Sequence, residues 1–573
     1  MTTTEAIRTD ILIIGMGAAA QMAALNAHDA NPDLNILMVT KALQGKGGCS
    51  RMVQGGFNVV LNPEDSHEKH LADTLKGGQF INNQDLAKLL VEQATPTIKE
   101  METKYGCFFD RNPDGTIHQK PFAGQSFDRT VHKGDLTGIE IISRITEQIM
   151  KRNIPVLEEH RALELLTDLS GRQVTGALIL DIKRGRFLVI EASATLVATG
   201  GGPTHYRFFA PGPEKSLDGL GMLYRAGVEM VDMEMVQFHP TGLLVPGSVV
   251  AGSLLEEGLR GAGAHLVNAE GERYMKRYDP ENMERATRDV VSRASYQEMM
   301  AGRGFDHGGV HIVASHLGAE FVETNFPGMC ERSKLFGYDL ARKPVPVSPT
   351  AHYMMGGAVI DSRCRTKHER LFVAGEDSGG VHGANRLGGN GIADSCVFGR
   401  QAGKAMAEYV SKMKGRPPDT RKGQIESFVA RYTAVFDRHK GESPYALRDR
   451  LRELNWDKVG VARNERHLLE ARAQIESIAE ETQKIRIEGI RPYNMPWNHY
   501  IDLLNMVEVS RIVAAAAQRR KESRGAHFRT DCPEQNDHKW LTNLFLRKAD
   551  SGEPLIEERP VKLAYMKPPG VRI

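Results

Sequence analysis

The chain has no Cys-x-x-Cys pair. Its six cysteines, Cys49, Cys107, Cys330, Cys364, Cys396 and Cys532, are scattered singly through 573 residues. That spacing excludes an iron–sulfur or zinc site built by this chain alone, and no metal-ligating set is expected. Unpaired single cysteines point to a reducing compartment, so a cytoplasmic location is expected. A charge excess is missing too. The 74 basic residues face 72 acidic ones, which argues against an electrostatic binder of nucleic acid or of a lipid surface. No apolar run approaches the length a bilayer requires. The opening Met1-Thr-Thr-Thr-Glu-Ala-Ile-Arg-Thr-Asp10 has no basic region followed by an apolar stretch, so no signal peptide and no twin-arginine export signal is read there. A hydrophobic fraction of 41% with 25% charged residues is ordinary for a soluble globular protein. The length suits about two to four domains.

Glycine is plentiful, at 57 residues, which suits a backbone that turns sharply and approaches phosphates closely. Ile11-Leu-Ile-Ile14 reads as a buried parallel strand, Gly15-Met-Gly17-Ala-Ala-Ala20 follows at once, and Gln21-Met-Ala-Ala-Leu-Asn-Ala27 reads as a helix. This is the strand–turn–helix context of the Gly-x-Gly-x-x-Gly/Ala dinucleotide fingerprint. Gly15 makes the turn, Gly17 admits a pyrophosphate, and Ala20 permits close packing of the helix. The helix N-terminus offers oriented N–H groups to the phosphates. A second strand, Leu34–Val39, ends in Thr40-Lys41 rather than in the acid that commonly holds a ribose. Later, Ala194-Thr-Leu-Val-Ala-Thr-Gly-Gly-Gly202 and Arg370-Leu-Phe-Val-Ala-Gly-Glu376 are again strands closing on glycine. Such late strands are the habit of FAD proteins, in which they return to complete the nucleotide domain. The expected FAD domain is therefore discontinuous, with another domain inserted.

Three cation-bearing segments are left over: Gln237-Phe-His-Pro-Thr-Gly242, Pro349-Thr-Ala-His-Tyr-Met-Met-Gly-Gly357 and His382-Gly-Ala-Asn-Arg-Leu-Gly-Gly-Asn390. Each sets a His or Arg beside Gly or Pro. Arg288 lies between them in the chain. His239, His352, Arg386 and Arg288 together would suit a small dicarboxylate.

With Gln54-Gly-Gly56, Phe122-Ala-Gly-Gln-Ser126, Glu257-Gly-Leu-Arg-Gly261 and Glu522-Ser-Arg-Gly-Ala-His527 added in order, the chain resembles the flavoprotein subunits of fumarate reductase and succinate dehydrogenase. L-aspartate oxidase is a close cousin of that family. The resemblance covers nearly the whole chain. It implies an α/β fold with a discontinuous Rossmann-like FAD-binding domain (1–238 and 355–412), an inserted α+β capping domain (239–354) and a C-terminal helical domain (413–547). Apolar residues at helical spacing in Pro444–Leu454 and Asn464–Ile475 agree with the last. The proline-bearing residues 548–573 read as an extended tail.

The resemblance also implies roles. His239, His352 and Arg386 would hold the substrate carboxylates, with Phe122 and Glu256 beside them. Arg288 would donate the proton. Arginine is a poor acid in water, with an ordinary pKa above about 12, so Glu257 and Arg260 would refill it. Gly15, Gly17, Ala20, Lys41, Cys49, Gly55, Gly56, Asp218 and Glu376 would line the FAD site. With no cluster motif in the chain, a separate iron–sulfur subunit is the implied redox partner. A membrane-anchored complex would place the chain on the cytoplasmic face of the inner membrane.

Three departures from the family stand out. Cys49 occupies the position of the histidine that bonds the flavin in membrane-bound members. Noncovalent FAD is therefore expected, with a cysteinyl bond as the alternative, and a lowered flavin potential would favour fumarate reduction. Glu256 replaces a hydroxyl residue that bonds a substrate carboxylate, so it either turns away or marks a different substrate. That feature keeps an aspartate oxidase-like amino-dicarboxylate oxidase as the alternative function. The loop Leu243–Gly252 is longer than usual, and it either reshapes the pocket rim or is a surface excursion.

Overall fold

Aliphatic runs at Ile11–Ile14 and Ile36–Val39 are fully or nearly fully buried, as strands covered on both faces must be. They form the centre of a seven-stranded sheet in a computed structural model that describes residues 5–248, 250–413, 418–550 and 552–571. Glu5–Ile14 pairs in parallel with Ile36–Thr40 on one side and with Arg186–Val197 on the other. The second edge of Arg186–Val197 is shared. Its first half takes Val174–Asp181 antiparallel, and its last residues take Leu371–Val373 in parallel. A strand from late in the chain thus completes the first sheet, as a discontinuous domain requires. The helix Ala18–Ala30 packs on the long helix Asn390–Lys412. Gly399 and Gly403 let the two backbones approach, since a Cβ on either would sit 2.3 or 2.2 Å from the Ala19 or Ala23 carbonyl oxygen.

Between the two parts lies a four-stranded antiparallel sheet, ordered Val236–Leu243, Val345–Met354, Val310–Val313 and His265–Val267. Helices such as Arg288–Glu298 pack against it around a core of its own, which includes Leu243, Leu259, Val291, Ile312 and Val345. Each such fully buried aliphatic side chain contributes about 1.5–3 kcal/mol. His239 lies opposite Thr350 on the paired strands, so both histidines of the expected anion site stand on adjacent strands at the root of this sheet.

Three helices follow, Pro444–Val459, Glu465–Thr482 and Met495–Arg519, started by the side chains of Ser443, Asn464 and Asn494. Among the described residues no helix is long and apolar enough to cross a membrane. The chain then makes an antiparallel hairpin, Thr542–Lys548 with Pro554–Pro560, which joins Met230–Val231 and Gly357–Ala358. A boundary at 547/548 therefore cuts a hairpin. The prolines misled because Pro554 and Pro560 stand at the ends of an outer strand, where a missing N–H costs little.

Candidate active site

One cleft runs from the Gly15 turn to Arg386. The helices Ala18–Ala30 and Asn390–Lys412 both open onto it, through Gly17 to Ala19 and through Gly389 and Gly391. The N-cap residues Gly17 and Gly389 make no side-chain cap; the Ala18 N–H donates to the Ser50 hydroxyl at 3.1 Å, and the positive ends of the two dipoles still favour an anionic ligand. Gly15 has φ +125°, and a Cβ there would lie 2.1 Å from the Ala198 carbonyl oxygen, so glycine is required.

Eight of the nine expected cofactor residues line the cleft: Gly15, Gly17, Lys41, Cys49, Gly55, Gly56, Asp218 and Glu376. Ala20 is buried and lies outside the lining, where it serves packing. Lys41 Nζ donates to Asp218 and to Ser216, each at 2.6 Å. Burial works against the Asp218 carboxylate, but Arg161 and Lys41 hold it below the usual range. Glu376 is committed to the protein. One oxygen accepts from Lys215 at 2.6 Å, and the other accepts from the Gly202 and Met354 N–H groups, each at 3.1 Å. Cys49 is a free thiol in the cleft wall, and burial raises its pKa against the pull of Lys215.

At the far end the three cationic segments meet, with Phe122, Glu256, Glu257 and Arg288 in the same lining. Gln237 ties them together. Its Oε1 accepts from Arg288 at 3.2 Å and from Arg386 at 3.1 Å. Its Nε2 donates to Asn385 and to the Arg386 carbonyl, each at 2.7 Å. Arg386 lies 4.4 Å from the centre of the Tyr353 ring, and among the described residues its Nε has no partner. Burial and then Arg288 pull the Arg386 pKa down to about 10.

Arg288 Nε donates to Glu257 Oε2 at 2.6 Å. Arg260 stands behind, with Nη2 3.9 Å from the same carboxylate. It is buried and does not line the cleft. Burial opposes ionisation of Glu257, but Arg288 and Arg260 outweigh it and keep the pKa below the ordinary carboxylate value.

Both histidines are held toward the neutral form. Burial first, then Arg288 and the other imidazole, hold His239 well below the usual imidazole range. Burial, Arg386 and Arg288 do the same to His352. The Thr241 N–H donates to His239 Nδ1 at 3.3 Å, while the Thr241 hydroxyl donates to the Leu255 carbonyl at 2.7 Å. Nδ1 is therefore an acceptor, and the ring proton sits on Nε2.

The chain matches the FAD binding domain family over residues 10–392 and the fumarate reductase flavoprotein C-terminal family over 448–573. It is 43% identical to an FAD-dependent oxidoreductase of Methanocaldococcus jannaschii over 94% of this chain and 96% of that one. It is 38% identical to one of the subunits of the CoM/CoB fumarate reductase of Methanothermobacter marburgensis, over 95% of this chain and 98% of that one. A solved Escherichia coli quinol fumarate reductase FrdA variant superposes with a TM-score of 0.93 at 32% identity, covering 99% of this chain and 98% of that one. The chain belongs to the fumarate reductase and succinate dehydrogenase flavoprotein family.

For a fumarate reductase-type flavoprotein, Glu256 is the unusual residue. It does not turn away from the cleft. It lines the cleft, with Oε1 accepting from Lys120 Nζ at 3.1 Å. Among the described residues, Leu243–Gly252 contributes nothing to the lining and closes as a turn, with the Gly252 N–H donating to the Leu243 carbonyl at 2.8 Å. Val249 of that loop lies outside the described residues. Sequence reasoning missed Lys120 and Lys215, and it quoted Tyr353 without assigning it a role. It quoted Gln237 without giving it a task, although an amide opening a His-bearing motif was a usable signal.

Proposed function

We propose that this chain is the catalytic flavoprotein subunit of an enzyme that reduces fumarate to succinate, with the reverse oxidation as the same chemistry run backwards. One observation carries the reading: two arginines and two neutral imidazoles converge at one end of an FAD cleft, with a carboxylate bonded to Arg288 at 2.6 Å.

FAD, held along the glycine turn and the two helix N-termini, supplies the hydride when bound. The protein must bind two carboxylates and deliver a proton. Arg386 presents a planar fork to one carboxylate, and His239 and His352 donate neutral N–H groups. Gln237 keeps Arg288 and Arg386 in register, because its one oxygen accepts from both. Arg288 gives its proton to the alkene carbon as negative charge develops there. Glu257 is hydrogen-bonded to Arg288, and Arg260 lies behind it, so a proton can return along this line. The geometry supports this order of donor, relay and reserve.

FAD is noncovalent in this reading, because burial keeps the Cys49 thiol protonated and a protonated thiol is a poor nucleophile. Four of the cysteines, Cys107, Cys330, Cys364 and Cys396, are buried singly. Electrons then pass through a separate iron–sulfur subunit, which would hold this chain at the cytoplasmic face of a membrane. The expected assay pattern is turnover of fumarate with reduced viologen and of succinate with a dye, and none of aspartate with oxygen. Aspartate oxidation without fumarate reduction would overturn the reading.

A further inference from the structure

Among the described residues, nothing donates to one of the two oxygens of Glu256. The residue is 5% exposed, and its Oε2 is buried with no hydrogen-bond partner. Arg332 also lines the cleft, but it donates to the Leu254 carbonyl at 3.2 Å and not to Glu256. The position of Glu256 relative to the chemistry can be fixed through Phe122. A Cβ on Gly55 would lie 2.7 Å from Phe122 Cζ and 3.5 Å from Glu256 Oε1. A Cβ on Gly388 would lie 3.3 Å from Phe122 Cδ1 and 3.2 Å from Arg288 Nη2. The Phe122 ring therefore lies near both the Lys120-bonded oxygen of Glu256 and the proton-donating guanidinium.

Charge alone does not stop an anion here. Burial and the nearby arginines hold both imidazoles toward the neutral form, and the Glu257 charge offsets one of Arg288, Arg260, Arg386 and Arg332. Lys120 pairs with Glu256 at 3.1 Å and cancels it. A positive balance remains to meet two carboxylates. What survives of Glu256 is a directional demand: a buried acceptor left without a donor is costly, and a substrate group that supplies the donor removes that cost.

Resting on the dicarboxylate reading above, we propose that Glu256 is a specificity-determining residue that selects an unsaturated dicarboxylate bearing a hydrogen-bond donor, such as a hydroxyl, beside one carboxylate. Lys120 keeps such an acid compatible with an anionic substrate.

The test compares 2-(hydroxymethyl)fumarate with 2-ethylfumarate, which has the same size and no hydroxyl, and with fumarate itself. Reduced viologen serves as donor to the FAD-loaded protein. The wild type should prefer the hydroxymethyl compound over the ethyl one by about tenfold or more in kcat/KM. Glu256→Leu should bring that ratio to near one and leave the visible FAD spectrum unchanged. Equal rates for the two compounds in the wild type, which needs no variant to fold, overturn the proposal. So does a preference that survives Glu256→Leu. Fumarate turnover without hydroxyl preference sinks this inference alone. Failure of all three compounds sinks the dicarboxylate reading and this inference with it.

Discussion

Arg520 and Arg386 are both buried, yet their surroundings are opposite. Arg520 donates to Glu234 at 2.6 Å, to Glu522 at 3.2 Å and to Asp232 at 3.4 Å, and to two backbone carbonyls besides. Burial opposes its charge, but Glu234, Asp232 and Glu522 raise its pKa regardless. Arg386 has only an amide oxygen, a carbonyl and an aromatic face, and its pKa falls to about 10. One arginine is saturated by acids and holds the C-terminal region in place. The other is left short of negative charge. An unpaired buried charge is expensive, and under the proposed function a substrate carboxylate removes that cost.

The largest test of this contrast removes Arg288, on the undersupplied side. Arg288→Ala should cut fumarate turnover by about 10⁴-fold while FAD absorbance per protein stays constant. Turnover retained in that variant would remove the proton-donor role. Next is the saturated side. Arg520→Met strands Glu234 and its neighbours, and should cost about 3–5 kcal/mol of stability in denaturant unfolding, with kcat per bound FAD nearly unchanged. A third measurement supplies the missing anion. Succinate at about a hundred times its dissociation constant should stabilise the wild type by about 2.7 kcal/mol, and should not stabilise Arg386→Ala. The smallest effect is in pH. The anion needs protonated Arg386, and the anion-free protein loses that proton near pH 10. Succinate affinity, read from flavin absorbance, should be flat below that value and fall about tenfold per unit above it.

The Arg386 side of this contrast was legible in the sequence, because local rules govern it, whereas Arg520 and its acids carry no local signal and were not singled out. The Gly15-Met-Gly17 turn, the late strand at Leu371–Val373 and the three cation-bearing motifs each carry their signal within a few residues. Lys120 does not. It faces Glu256 across 136 positions of chain, and nothing in its own stretch marks it, so a carboxylate that looked repulsive proved to be compensated. Glu376 shows the converse. Its place at a strand end was readable, but its bonds to Lys215, Gly202 and Met354 come from tertiary packing. The hairpin at Thr542–Pro560 was obscured by prolines that an outer strand tolerates.

The brace beneath Arg386 carries one last consequence. The Ala526 N–H donates to the Ala384 carbonyl at 2.9 Å, and Gly525 is packed so closely that a Cβ would lie 2.6 Å from the same oxygen. Residues from late in the chain therefore support the backbone two positions before Arg386. A nascent chain that has emerged only through the helix Asn390–Lys412 already holds every glycine of the cofactor cradle, but not that support. The cleft's own bracing comes from the helix Met495–Arg519, where Asn505 donates to Asp218 at 2.8 Å and Asp502 lies 3.7 Å from Lys41, so a polypeptide that keeps this helix but loses the residues after it should be yellow and idle.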